Sequence, residues 1–563
     1  MDLARVRDAV PRIAPTVIGL VVFGVFFQRV LVALASAAPR EIYFAPSFSI
    51  ALFERNGVAL AIGIASVAFV LWLLSPQSRG RFSWTEIDRV GGLRWLILGI
   101  AMSLAWAYSG YRYNYYYNQA HLWDRWLVVV LMIATLRSPL LIPVFVFEVL
   151  LSRGQFEHPI SASTPIGDEF PLRVLGVVVG AALSNGVLDG VESLRSKIPR
   201  VKALRSRFED GLKSWRIDTH ALVFAILCMT SFYYAVAAVG KISLGAQAFD
   251  WMRFSHMENL FVASHLNGWL AFLPESRVLE LAEIVRVFHL PITVFTLACE
   301  FGMAFLLVRR RGTLLLLAAV SSMHIGILIT SGIIFWKWLV LDVALLVWLW
   351  VRREDPEILR MYSRSNALLS LVVVAGMIAV FSTNVFSWWN TKWTMTYEVE
   401  VIDTTGASYR VDYADFKPYT LFDLYKPDGR DNQTYAFGMT KNQRLMEYLE
   451  APDPRSLERF ASSQPAWEVG PDIARGPRVF KDFMKRYFTH RNRHPNRRAV
   501  PFLLPSPAMH NRSLAGPDVY RDQNPVVEVR LRFREIYYSG SGLENMRDEI
   551  VYSVPIRVQK TNQ

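Results

Sequence analysis

The sequence predicts a polytopic α-helical membrane bundle of about nine to ten segments, followed by a β-rich α+β soluble C-terminal domain. Three observations predict it. Apolar runs close to membrane-spanning length recur up to about residue 388. Clusters of Lys and Arg punctuate those runs. Beyond residue 389 the pattern changes to strand-like alternation. Of the 563 residues, 52% are hydrophobic and 13% aromatic, and the mean hydropathy of +0.24 is high for a water-soluble chain.

A spanning helix needs about 20 mainly apolar residues. Such runs lie near 14–36, 57–75, 93–109, 126–151, 172–189, 219–240, 287–308, 313–332, 335–351 and 366–388. They divide into N-terminal helices (1–90) and a transmembrane core (91–388) with a basic cytoplasmic linker at 190–216. The first run follows basic residues and contains Ala35-Ser36-Ala37, which resembles a signal-peptidase site. Its length, and the interrupting Gln28 and Arg29, favour a retained helix. Arg309-Arg310-Arg311, Arg352-Arg353 and the 190–216 linker belong on the cytoplasmic side. The loop from Ser243 to Glu283 and everything after about Trp388 then lie outside, across a plasma (inner) membrane. A basic N-terminus and five alternating spans would put the 190–216 linker on the wrong side. Two remedies stay open: Arg137-Ser138-Pro139 splits 126–151 into a short hairpin, or 174–188 does not span. The net charge of +13 follows membrane segments, so topology explains it and nucleic acid is not expected as a partner.

In the extracytoplasmic domain, 389–563, TYEVEVIDTTGASYRVDY reads as a β-hairpin around Thr404-Thr405-Gly406. VEVRLRFREIYY reads as a strand with Val529, Leu531 and Phe533 on one face and Arg530, Arg532 and Arg534 on the other. That basic face suits an acidic partner. IVYSVPIRV reads as a further strand, and residues 478–494 as a basic amphipathic helix. Asn432 and Asn511 begin glycosylation sequons. The two cysteines, Cys228 and Cys299, sit in apolar runs, so the outer domain has neither a disulfide nor a cysteine metal site.

Ionisable residues inside spans cost about 2.5–3.5 kcal/mol on insertion scales and ask for a reason. Here they are Lys241, Glu300, His324, Lys337 and Asp342. Lys241 is either an anchor reaching for headgroups or a base whose amine is sheltered between helices and held uncharged. Tyr234 shares its helical face, two turns deeper. Glu300 and His324 are either satisfied core groups or proton-handling groups. Lys337 reads as a second anchor. Lys337 and Asp342 are spaced so that they cannot face each other on one helix. The stretch YRYNYYYNQAHLWDR, with Tyr117 and His121, is either an interfacial aromatic belt or a lid that would contact an aromatic head such as a quinone. No phosphate loop, dinucleotide fingerprint, Gly-x-Ser-x-Gly, HExxH or CxxC is present, and no metal is expected.

Over roughly residues 90–350 the chain resembles the HTTM family of membrane proteins, which is related to vitamin K-dependent gamma-carboxylase. The resemblance rests on YYAVAAVGKI, then Asp250-Trp251, CEFGMAFLLVRRR, SSMHIGILI and FWKWLVLDVALL, with HLWDRW earlier. It implies that Lys241 deprotonates a reduced, vitamin K-like quinone, and that Glu300 and His324 shape the pocket or relay protons. The implied enzyme is a lyase of carboxylase/epoxidase type or a quinol-linked oxidoreductase, acting on a peptide or protein presented by the outer domain. Two departures stand out: the two spans that precede the recognisable core, and the lack of a propeptide-binding region. The alternative is a non-enzymatic assembly, maturation or immunity factor whose outer domain binds a protein.

Overall fold

Helix–helix packing in a membrane rewards small residues, because they let backbones approach. Helix α1 (Ala14–Ser36) crosses α5 (Glu169–Lys197) in this way in the computed structural model. A Cβ on Gly176 would meet the Gly24 Cα at 2.9 Å, and one on Gly24 would meet the Arg173 carbonyl at 2.7 Å. The described residues are 13–55, 63, 66–72, 83–159, 167–197, 216–244, 247–266, 268–270, 272–333, 335–381, 390, 392–416, 419, 453–456, 476–496, 506 and 516–558. Most of the expected 57–75 span, most of the 190–216 linker and both sequons lie outside them.

Between α1 and α5 run α2 (Leu93–Ser109), α3 (Leu122–Ala134) and α4 (Ile142–Glu157). The expected 126–151 run is therefore two helices. The break falls at Ser138-Pro139, where Ser138 Oγ accepts the Leu140 N–H at 3.3 Å. Helix α6 (Thr219–Ser243) is the most deeply buried candidate span. Its N-terminus is capped by Asp218, whose carboxylate accepts the Ala221 N–H at 2.8 Å. After α7 (Met257–Leu266) come α8 (Glu275–Val287) and α9 (His289–Gly302). These last two pass the apolar test together but bend by 62°. The bend follows from Pro291, which has no N–H to give the Val287 carbonyl. Helices α10 (Arg310–Ser331), α11 (Trp336–Val351) and α12 (Arg364–Val380) complete the bundle. Five described helical segments are long and apolar enough to cross a membrane, or six with the bent pair.

Side-chain bonds sort the connections into two ends. At one, Trp84 Nε1 donates to the Thr135 carbonyl at 2.8 Å, Thr219 Oγ1 to the Ile87 carbonyl at 3.1 Å, and Arg310 Nη1 to the Arg353 carbonyl at 2.5 Å. At the other, Ser47 Oγ and the Ser49 N–H donate to Asp124 at 2.9 and 3.0 Å, and Lys337 and Tyr108 both meet Asp168.

The C-terminal sheet has strand order β2-β1-β3-β4, all antiparallel: β1 (Trp393–Asp403), β2 (Ser408–Arg410), β3 (Val526–Tyr538) and β4 (Leu543–Pro555). The hairpin, the alternating strand and the last strand all form where expected. Helix α13 (Gly476–Arg493) covers one face with Phe480, Phe483 and Met484. The arginine face is not free for an acidic partner, however. Arg530 pairs with Glu528 at 2.8 Å, and Arg532 with Asp548 at 2.6 Å and Glu400 at 3.0 Å. Arg534 lies 3.9 Å from both Glu398 and Asp548. Glu398, Glu400 and Asp548 come from the neighbouring strands, where alternation within one strand cannot show them, and Glu528 comes from β3 itself.

Candidate functional site

The last turn of α6 carries Lys241, and the last turn of α9 carries Glu300. The two helices pack so that Lys241 Nζ meets both Glu300 oxygens, at 2.7 and 2.8 Å. Both residues are 6% exposed, which rules out an anchor reaching into headgroups. The sheltered amine foreseen from the sequence is thus ion-paired. The Trp251 ring lies 5.4 Å from Nζ, within reach of a cation–π contact.

Two turns deeper, Tyr234 joins α10 and α11. Its hydroxyl lies 2.7 Å from His324 Nε2 and donates to Asp342 Oδ2. With the hydroxyl proton directed at Asp342, Nε2–H of His324 is the donor to the Tyr234 oxygen, an assignment made from the network. Among the described residues, the His324 Nδ1 lone pair is then left buried and without a partner, as is Asp342 Oδ1. Trp338 meets the Tyr234 ring edge-on, with centroids 5.5 Å apart.

Tyr234, Lys241, Glu300 and His324 line one cavity of about 530 Å³. Its other walls are mainly apolar: Trp251 and Leu260, then Ile284, Phe288, Ile292 and Phe295 from the bent pair, and Phe335 and Trp338. This volume and lining suit a small lipid-soluble molecule held by few polar groups at one place. The tyrosine on the Lys241 face is present as the helical offset predicts. Trp251 and Trp338 carry no charge to flag them, and only the packing brings them in. Asp342 is visible in the sequence as a charge within a span, but its partner is on α6 rather than its own helix.

Tyr117 and His121 do not reach this cavity. His121 Nε2 bonds the Tyr43 carbonyl at 2.9 Å, and its ring lies 5.3 Å from Phe48. Tyr117 packs edge-on against Phe44 at 4.8 Å. The tyrosine-rich stretch is neither belt nor lid, because it docks the bundle onto the C-terminal domain. Tyr115 Oη donates to the His494 carbonyl at 3.1 Å, Tyr419 Oη to Asn114 at 2.7 Å, and Tyr116 stacks on Phe483 at 5.3 Å. Lys337 is not an anchor either. It is buried and paired with Asp168, which also takes the Tyr108 hydroxyl and lies 3.8 Å from Arg153. This network fixes the start of α11, and with it Trp338, whose Nε1 donates to the Gly167 carbonyl at 3.2 Å.

No protein-family model, curated protein or solved structure matches this chain.

Proposed function

We propose that this chain is an integral membrane enzyme that takes a lipid-soluble aromatic diol, of reduced-quinone type, into the cavity and removes a hydroxyl proton there. The observation that carries the reading is the convergence of Lys241, Glu300, Tyr234 and His324 on one mainly apolar cavity. The reduced quinone would supply electrons for subsequent chemistry, as the resemblance to vitamin K-dependent carboxylases implies. The chain's own residues supply the rest. In the ion-paired form Glu300 is the proton acceptor, and Lys241, hydrogen-bonded to both its oxygens, holds a positive charge beside the deprotonated hydroxyl. His324 Nδ1 offers a second acceptor, with Tyr234 and Asp342 fixing its ring. The apolar walls exclude water, which strengthens each of these interactions.

A consistent membrane path supports this reading. With α3, 13 residues long, and α4 taken as the two arms of a hairpin, and with 57–75 counted as a crossing, the parity conflict would be removed. The end that holds Arg310 and Arg353 then faces the cytoplasm, and the end that holds Lys241, Asp168 and the β-sheet faces outward.

The test is binding of a reduced naphthoquinone to the full-length protein in detergent, read by quenching of tryptophan fluorescence and by solvent extraction of the washed protein. The wild type should retain about one equivalent. Thr296→Trp, which fills the cavity from α9, should bind at least tenfold more weakly. Lys241→Met should lose turnover in a quinol-consumption assay while staying folded. A wild type that retains no quinol, or a Thr296→Trp protein that binds as well, would overturn the reading.

A further inference from the structure

We propose that His256, Glu258 and His289 form a binding site for one divalent first-row transition-metal ion of the zinc class. The site is independent of the diol reading. His256 follows a short helix (Asp250–Phe254), Glu258 lies in the first turn of α7, and His289 opens α9. One ligand atom from each residue lies within 4.8 Å of the other two. His256 Nδ1 is 3.0 Å from Glu258 Oε1, and the two imidazole rings lie 5.0 Å apart.

Unspent polar capacity points to a ligand. Among the described residues, Glu258 Oε2 is buried without a hydrogen bond, and the His289 ring nitrogens, both buried, have the Met252 and Arg253 carbonyls beside them but no well-aligned bond to either. Leaving such groups unpaired is costly, and native structures seldom do it. The Met252 and Arg253 carbonyls lie beside His289, placed to receive one N–H once the other nitrogen binds a metal. Two imidazoles and a carboxylate suit zinc and its neighbours, whereas calcium and magnesium prefer oxygen alone. Metal–ligand bonds of about 2.0–2.1 Å need the donors drawn to roughly 3.3 Å apart. From 4.8 Å that is a side-chain adjustment of about an ångström or more. Three protein ligands leave a coordination position open. Met257 and Phe288, chain neighbours of the ligands, line the cavity, so the ion would sit beside it.

The experiment strips the full-length protein in detergent with EDTA, then titrates it with Co²⁺ and, separately, Zn²⁺. Visible absorption reads the cobalt, and elemental analysis after desalting counts the metal. The wild type should hold about one equivalent with a cobalt ligand-field band, and Glu258→Gln and His289→Ala should bind at least tenfold more weakly. His265→Ala, which removes a nearby histidine outside the triad, should bind as the wild type does. A wild type retaining under about a tenth of an equivalent would overturn the proposal. So would a folded Glu258→Gln that binds as tightly as the wild type. Neither readout depends on quinol binding or turnover, so failure here leaves the proposed function standing, and the reverse.

Discussion

Replacing Glu300 with Gln would leave the Lys241 ammonium inside the bundle without its counter-charge. At 2.7 Å and an effective dielectric near 20, the pair attracts by about 6 kcal/mol. Desolvating two ions costs several kcal/mol each, so the intact pair is nearly balanced against apolar residues of the same size. Removing one partner is different, because the penalty on the other then stands alone, typically about 3–5 kcal/mol. Glu300→Gln should therefore destabilise by about 3–5 kcal/mol at pH 7. Lys241→Met/Glu300→Leu should stay within about 1.5 kcal/mol of wild type. The assay is reversible unfolding in mixed detergent micelles at pH 7, followed by tryptophan fluorescence, with both single variants closing the cycle. A Glu300→Gln protein as stable as the double variant would refute the reasoning, since it would mean that the ammonium reaches water without Glu300.

Other variants test the surrounding network. Tyr234→Phe removes the group between His324 and Asp342 and should cost about 1–3 kcal/mol, measured by the same unfolding. Asp168→Asn strips Lys337 of its carboxylate and should cost about 3–5 kcal/mol, with weaker quinol binding because Trp338 is no longer fixed. Gly332→Ala places a Cβ 2.7 Å from the Trp269 ring at φ +65°, and should lose about 2–4 kcal/mol in thermal unfolding. In the C-terminal domain, hydrogen bonds from Thr405, Asn524 and the Ala407 N–H hold the Asp403 carboxyl down at about 2. Its folded value is below its unfolded one, so its stabilisation is present above about pH 4 and is lost as pH falls toward 2. Denaturant titrations across that window should show the loss in wild type and a flatter profile in Asp403→Asn.

The elements were legible because their signals are local. Lys and Arg beyond apolar runs, the Thr-Thr-Gly turn and the alternation of 527–538 each need only a few neighbouring residues. The split of 126–151 was legible as one of two options, since Ser138-Pro139 is a breaker in its own right. The 62° bend was less so. Pro291 falls at the start of an apolar run, where a proline is as compatible with a helix beginning as with a broken one.

What stayed hidden depends on pairing across helices. A lysine at the end of an apolar run has the same local sequence whether it snorkels or meets a carboxylate. The decisive residue, Glu300, is 59 positions away. Lys337 misled for the same reason: its partner Asp168, just before a different helix, is 169 positions away. The arginines of β3 looked like a ligand surface because their acids sit on β1 and β4 as well as on β3 itself. In each case the charge was visible and its neutralisation was not. A lone ionisable residue in an apolar run therefore signals that a partner exists somewhere in the fold, and does not say whether that partner is water, a counter-ion or a substrate. At Lys241 the structure supplies the counter-ion and leaves a cavity beside it. A purely structural ion pair needs no such space, so the cavity, more than the lysine, argues for chemistry.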